Sequence, residues 1–241
     1  MCTRRRWLGI SICALVVVGC EAAKRDPLPI LRATAKAYSG LRSYYVAETT
    51  VLTLSDGSPP RTSESVIAAA PDGKSRYEMG TPAGKAIGVS DGKTEWIYFP
   101  AANQYQEGGA GSLPFASLGR TFMSSYSAID EGIEVATWLR RESVTVGAES
   151  HICDVIRVVE RPRRPVVENP EADRLWRTEW QGASKTYWID RRHRVLRELS
   201  ISSKGGRLET SVNVIRMDED LASDLFVSPV PPGATKAHSP G

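Results

Sequence analysis

The stretch Lys85-Ala86-Ile87-Gly88-Val89-Ser90-Asp91-Gly92-Lys93-Thr94-Glu95-Trp96-Ile97-Tyr98-Phe99 decides the fold class. Asp91-Gly92 sits between two runs suited to strands. That arrangement is a strong hairpin signal, because a tight two-residue turn needs residues that accept positive φ. Within the second run Trp96 and Tyr98 share one face, and Ile97 and Phe99 share the other. Tyr187 and Ile189 oppose Trp188 in the same way. Strands apolar on both faces are covered on both sides. One face is therefore expected to pack on helices and the other to line an apolar cavity, with Trp96, Tyr98, Ile87, Val89 and Trp188 as the candidate lining. The alternative is a core filled by side chains.

Strand signals continue outward. Ser43–Leu54, Thr62–Ala70 and Lys74–Met79 precede the hairpin, separated by Asp56-Gly57, Pro59-Pro60 and Pro71-Asp72-Gly73, and Asn103–Gln106 follows it. Such close spacing implies an antiparallel meander, since parallel crossovers need a dozen or more residues. A second β-rich half starts near Arg141, with Ser143–Val146, His151–Glu160, Ser184–Asp190, Val195–Ser202 and Arg207–Met217. Helical spacing marks Leu28–Leu41, through Leu28, Leu31, Ala35 and Tyr38, and one or two short helices in Leu113–Tyr126. A short final helix is expected over Leu221–Leu225. Residues 161–183 carry Pro162, Pro165 and Pro170 among charges and end in Trp176 and Trp180, a candidate lid over an opening; a solvated insertion is the other reading.

The N-terminus carries an address. Arg4, Arg5 and Arg6 precede an apolar run from Trp7 to Val18, which is the layout of a secretory signal. Glu21, Lys24, Arg25 and Asp26 end the run too early for a transmembrane helix, which needs about 20 apolar residues. Val17-Val18-Gly19-Cys20 resembles the bacterial lipobox. That resemblance implies cleavage before Cys20 and acylation of its thiol and new N-terminus, with palmitate among the chains expected. Two acyl chains anchor a protein stably without a spanning helix.

Cleavage there changes the arithmetic. The 241-residue chain has 31 basic and 28 acidic side chains, a net charge of +3. The three arginines leave with the signal and no acid does, so the mature chain is formally neutral. This excludes the basic footprint of a nucleic-acid binder. Of four cysteines only Cys153 remains besides the lipid-bearing Cys20, so no intramolecular disulfide is possible, and Cys153 reads as a small buried strand residue.

Catalytic signatures are missing. The sequence has no H-E-x-x-H, no C-x-x-C and no phosphate loop before a helix, and no G-x-S-x-G elbow between strand and helix, since Gly88-Val89-Ser90-Asp91-Gly92 runs into the hairpin instead. His151, His193 and His238 are too scattered to suggest a metal site or a triad. Arg191, Arg192, Arg194 and Arg197 surround a hairpin turn and read as its solvated flank or as contacts for lipid head groups. No cofactor, metal site or enzymatic activity is expected.

The order of motifs is more specific than any one of them. Tyr38-Ser39-Gly40-Leu41-Arg42-Ser43-Tyr44 joins helix to strand. Pro71-Asp72-Gly73-Lys74-Ser75-Arg76-Tyr77-Glu78 follows, then Val89–Pro100 leading to Asn103-Gln104-Tyr105. Lys185-Thr186-Tyr187-Trp188-Ile189-Asp190, Val195-Leu196-Arg197 and Asp224-Leu225-Phe226 close the series. The series resembles the LolA/LolB-like lipoprotein-sorting fold, which includes envelope sensors of the RseB/MucB type. The resemblance implies an α+β fold: an antiparallel sheet curled into an incomplete barrel, with a few helices over its concave side. It also implies a face that holds acyl chains of a lipid or lipoprotein, and no cofactor. The long proline-rich insertion departs from the carriers, and a tether at Cys20 departs from a soluble carrier. The expected organisation is a signal peptide over 1–19, a lipidated tether over 20–27, the domain over 28–233 and a loose tail over 234–241. The expected place is the periplasmic side of the cell envelope, on the outer membrane. A sensor or scaffold acting through an envelope protein partner is the alternative.

Overall fold

The computed structural model describes residues 25–81, 84–113, 125–161 and 183–237. The lipobox residues Val17, Val18, Gly19 and Cys20, the lid residues Trp176 and Trp180, and most of the Leu113–Tyr126 helical segment lie outside the described residues.

The first element among the described residues is helix α1 (Leu28–Ser39), whose Leu31, Thr34, Ala35 and Tyr38 are buried at helical spacing. At its start the Asp26 carboxylate accepts the Leu28 N–H at 3.0 Å, a favourable place for negative charge. Twelve strands follow: β1 (Tyr44–Thr53), β2 (Arg61–Ala69), β3 (Lys74–Thr81), β4 (Gly84–Asp91), β5 (Thr94–Phe99), β6 (Gln104–Gly109), β7 (Ile133–Val146), β8 (Glu149–Glu160), β9 (Ser184–Asp190), β10 (Val195–Ile201), β11 (Arg207–Met217) and β12 (Thr235–Lys236). They form one sheet in the order β12-β6-β5-β4-β3-β2-β1-β11-β10-β9-β8-β7. Two antiparallel meanders, β1 to β6 and β7 to β11, are thus joined through the β1–β11 pair. β7 and β12 do not pair with each other, so the curled sheet stays unclosed. The expected α+β class and incomplete barrel are the observed ones.

The Asp91-Gly92 hairpin forms as its chemistry requires. The Asp91 carboxylate accepts the Lys93 and Thr94 N–H groups, both at 2.8 Å. Gly92 has φ +95°, and a Cβ there would lie 2.1 Å from the Asp72 carbonyl oxygen. Only glycine meets both demands.

α1 covers one face of the sheet. The Tyr38 ring lies 6.0 Å from that of Tyr44 on β1 and 5.0 Å from that of Tyr126. Its hydroxyl accepts the Val195 N–H at 3.1 Å. Register carries this covered face across the sheet. Val46 stands opposite Ile67, and Ile67 opposite Tyr77. In the other direction Val46 faces Ile215.

The outer face is buried in two places. The far end of β7 reaches β10 and β11, and Cys153, Val155 and Trp188 are buried there. Near the other end of the sheet a 3₁₀ turn, Ser223–Phe226, packs on β3 and β4. The Arg76 guanidinium donates to the Leu225 carbonyl at 3.1 Å and Phe226 is buried. Coverage on both sides is what apolar residues on both faces of a strand demand.

Two elements differ from the sequence reading. β7 begins at Ile133, well before Arg141, and register shifts between Ile133 and Val135 and between Trp138 and Arg140 break its alternation. Thr235 and Lys236, expected in a loose tail, pair in parallel with Gln104 and Tyr105. This short addition satisfies part of an edge that β6 would otherwise leave open.

Candidate functional site

The covered face changes character across the sheet. Beneath α1 it is apolar, with Ile156 and Val158 on β8 and Leu196 on β10 all fully buried. Toward the middle it becomes polar. Glu48 follows Tyr44 and Val46 along the covered side of β1 and is buried. Its Oε1 accepts the Ser65 hydroxyl at 3.0 Å. Glu198 follows Leu196 along β10 in the same manner and is half-buried. Its two oxygens accept the Tyr126 hydroxyl at 3.1 Å and the Ser200 hydroxyl at 3.3 Å. Tyrosines stand close to both: Tyr44 and Tyr77 to Glu48, Tyr187 to Glu198, and Tyr126 to the two together.

Desolvation dominates the electrostatics of this layer. Burial raises the Glu48 carboxyl above its ordinary value, Ser65 opposes the shift, and the charge of Glu198 adds to it. Burial raises Glu198 as well, against Lys185 and its two hydroxyl donors. Burial pushes Tyr77 up to about 12, with Glu48 contributing. The layer favours neutral carboxylic acids and phenols over their charged forms.

Beyond the polar layer the sheet opens. β2 pairs with β1 out to Arg61, and β3 pairs with β4 out to Thr81. Between themselves, however, β2 and β3 pair only from Ser65–Met79 to Ala69–Ser75. The strands diverge beyond that point, and a cavity of about 910 Å³ occupies the divergence. Its lining mixes Leu52, Val66, Gly80 and Gly84 with Thr62, Ser63 and Ser65 and with the charged Arg61, Glu64, Glu78 and Lys85. Lys85 pairs with Glu78, which also holds Arg76.

The candidate lining residues fall elsewhere. Ile87 pairs with Tyr98 and Val89 with Trp96, and Val89 also stands opposite Arg76. All four therefore lie on the outer face, on the side of the Ser223–Phe226 turn. Val89 is fully buried, while Ile87, Trp96 and Tyr98 are half-buried. The Tyr98 hydroxyl donates to Asn103 at 3.1 Å. Trp188 is also on the outer face, buried, with the Arg197 guanidinium stacked 4.7 Å from its ring centroid. Residues on the covered side of β5 are Glu95 and Ile97. The buried Glu95 carboxylate accepts the Gly111 and Leu113 N–H groups at 2.9 and 2.8 Å, which fixes the chain leaving β6.

The turn arginines are mostly spoken for. The Asp190 carboxylate accepts the Arg192 and Arg194 N–H groups, both at 2.9 Å, and the Arg194 guanidinium at 2.7 Å. Arg197 pairs with Glu209. His151 lies 3.3 Å from Arg194, and His193 occupies the left-handed turn position at φ 61°. Cys153 is buried in β8, and burial pushes its thiol up to about 12. Among the described residues, no three His, Cys, Asp or Glu side chains converge in a metal-binding arrangement, and no helix is long and apolar enough to cross a membrane.

No family model matches the chain, and no curated protein matches it by sequence. Solved structures do resemble it. Lipoprotein LppX of Mycobacterium tuberculosis superposes with a TM-score of 0.51 at 13% identity, covering 83% of this chain and 100% of that one. LprF of Mycobacterium bovis superposes with a TM-score of 0.52 at 14% identity, covering 86% and 100%. At such identities the likeness is one of fold. The chain has the curled, helix-covered sheet expected from its motif order, and it shares that fold with LppX and LprF.

Proposed function

We propose that this chain is a lipid-anchored envelope lipoprotein that binds an acyl chain, of a lipid or of another lipoprotein, through the opening between β2 and β3. The divergence of those strands around a cavity of about 910 Å³ is the observation that carries the reading. Small-molecule sites run from about 300 to about 1,000 Å³, so the space suits a lipid tail. Methylene burial supplies the affinity: about ten methylenes at about 0.8 kcal/mol each give about 8 kcal/mol, a micromolar constant before ordering losses. Recognition of this kind needs no nucleophile or metal. The lipobox at Cys20 and the fold shared with a lipoprotein support the envelope setting.

The chain from Cys20, purified from cells and examined by native mass spectrometry, is expected to carry a bound lipid and to release a fluorescent fatty acid in competition. Gly80→Phe is the blocking variant. Gly80 has no positive φ, and a Cβ there meets nothing closer than 3.9 Å, so the ring can occupy the cavity while the strand persists. Binding at least about tenfold weaker in this variant supports the site, a loss of about 1.4 kcal/mol. Absence of lipid together with no displacement in the parent chain overturns it.

A further inference from the structure

The first described residue is held in place. The Arg25 guanidinium donates to Asp154 Oδ1 at 2.8 Å. The same oxygen accepts the Trp138 indole N–H at 3.0 Å and the Arg141 guanidinium at 3.1 Å. Asp154 belongs to β8 and stands opposite Arg141 of β7, the terminal strand of the sheet. Arg25 therefore pins the chain entering α1 against the β7 edge. Only four residues separate Cys20 from Arg25, and the five Cα-to-Cα steps, fully extended, span at most about 18 Å.

From this we infer that the β7 edge is the surface that faces the bilayer, with Arg25 acting as a positioning residue that orients the domain on its anchor. The inference rests on the acylation of Cys20 in the reading above. The edge is suited to a lipid-water boundary. Fourteen residues long, it leaves its outer backbone groups unpaired within the sheet, and it presents Val135, 52% exposed, beside the exposed Arg140 and Arg141. A neighbouring bilayer shields such an edge from pairing with another chain. The opening between β2 and β3 lies six to seven strands away in the sheet. At about 4.8 Å per strand that is up to about 34 Å along the curled surface, so the opening is directed toward the periplasm and cargo is exchanged there.

The test separates geometry from biology. The chain from Cys20 is joined through that thiol to maleimide lipid in phosphatidylcholine vesicles. Cys153 is buried and is spared by the reagent. Hydrogen exchange is then compared between tethered and free chain. The expected result is exchange slowed about tenfold across Ile133–Val146, equivalent to about 1.4 kcal/mol of local protection, with Gln104–Gly109 at the opposite edge unchanged. In Arg25→Ala the slowing is lost while thermal unfolding of the free chain stays close to the parent, because the Arg25 side chain is 43% exposed. No slowing at β7 in the tethered parent overturns the surface, and slowing that survives Arg25→Ala overturns the role of Arg25. Mass spectrometry of Cys20 from cells reads acylation separately: unmodified Cys20 overturns the anchor itself, whatever the vesicle result.

Discussion

The carboxyl groups of Glu48 and Glu198 make the stability of this sheet fall as pH rises. Both are raised above their ordinary range, chiefly by burial. In the unfolded chain a glutamate titrates near pH 4.3. Between that pH and the raised folded values, the native chain keeps protons that the unfolded chain has lost, so the stability contributed by protonation is full at low pH and declines as pH rises. Each group contributes a slope of up to about 1.4 kcal/mol per pH unit, and the two together up to about 2.7. Groups shifted the other way act in a different window. Glu78, held down by Lys85 and Arg76 against the penalty of burial, and Glu209, held down by Arg207 and Arg197 against the same penalty, stabilise above the unfolded carboxylate range and lose their effect as pH falls. The range above the unfolded carboxylate value is thus left to the enclosed pair among these four carboxylates. Glu198→Gln keeps one of the two acceptor oxygens, offers an amide N–H to the oxygen of the other hydroxyl, and removes the titration. Urea unfolding across that range is expected to show the parent midpoint falling with pH, Glu198→Gln falling less steeply, and the Glu48→Gln/Glu198→Gln double variant flatter still. A parent midpoint that is level or rises over this interval refutes the reasoning, as does a Glu198→Gln slope equal to the parent's.

Other substitutions probe the packing that shapes the site. Tyr38→Phe removes the acceptor of the Val195 N–H and leaves that buried donor unpaired. A loss of about 1–3 kcal/mol is expected by chemical denaturation. Gly92→Ala forces a Cβ into the Asp72 carbonyl at positive φ, and the left-handed backbone alone costs about 1–2 kcal/mol; a melting temperature within error of the parent contradicts the hairpin account. The Cys153 thiol, pushed up to about 12 by burial, is expected to resist a thiol reagent until the chain is unfolded, read as one slow equivalent by absorbance.

The fold was legible where local chemistry decides it. Asp91-Gly92, Pro71-Asp72-Gly73 and the β-branched runs between them mark strands that the structure reproduces within a residue or two, because turn residues and alternation act over short distances. The first half of β7 was not legible. Its two register shifts insert extra residues, so Ile133–Glu142 loses the period-two pattern that identifies a strand. The parity of Trp96 and Tyr98 was readable, but which face α1 covers depends on Tyr38 reaching Tyr44 and Val195, a long-range choice. The enclosed carboxylates left a signal that passed unnoticed. Glu48 continues the series Tyr44, Val46, and Glu198 continues from Leu196, so each charge stands on an apolar side of its strand. The opening between β2 and β3 has no local signature, because it arises from where pairing stops.

The central claim is an acyl chain lodged between β2 and β3. It is tested most directly by a photoactivatable fatty acid crosslinked to the chain from Cys20 and mapped by peptide mass spectrometry. The account predicts adducts on Leu52, Arg61–Val66, Gly80, Gly84 and Lys85, lost on competition with unlabelled fatty acid. Adducts confined to the outer-face residues Ile87, Trp96 and Tyr98, or labelling that competitor does not reduce, would contradict it.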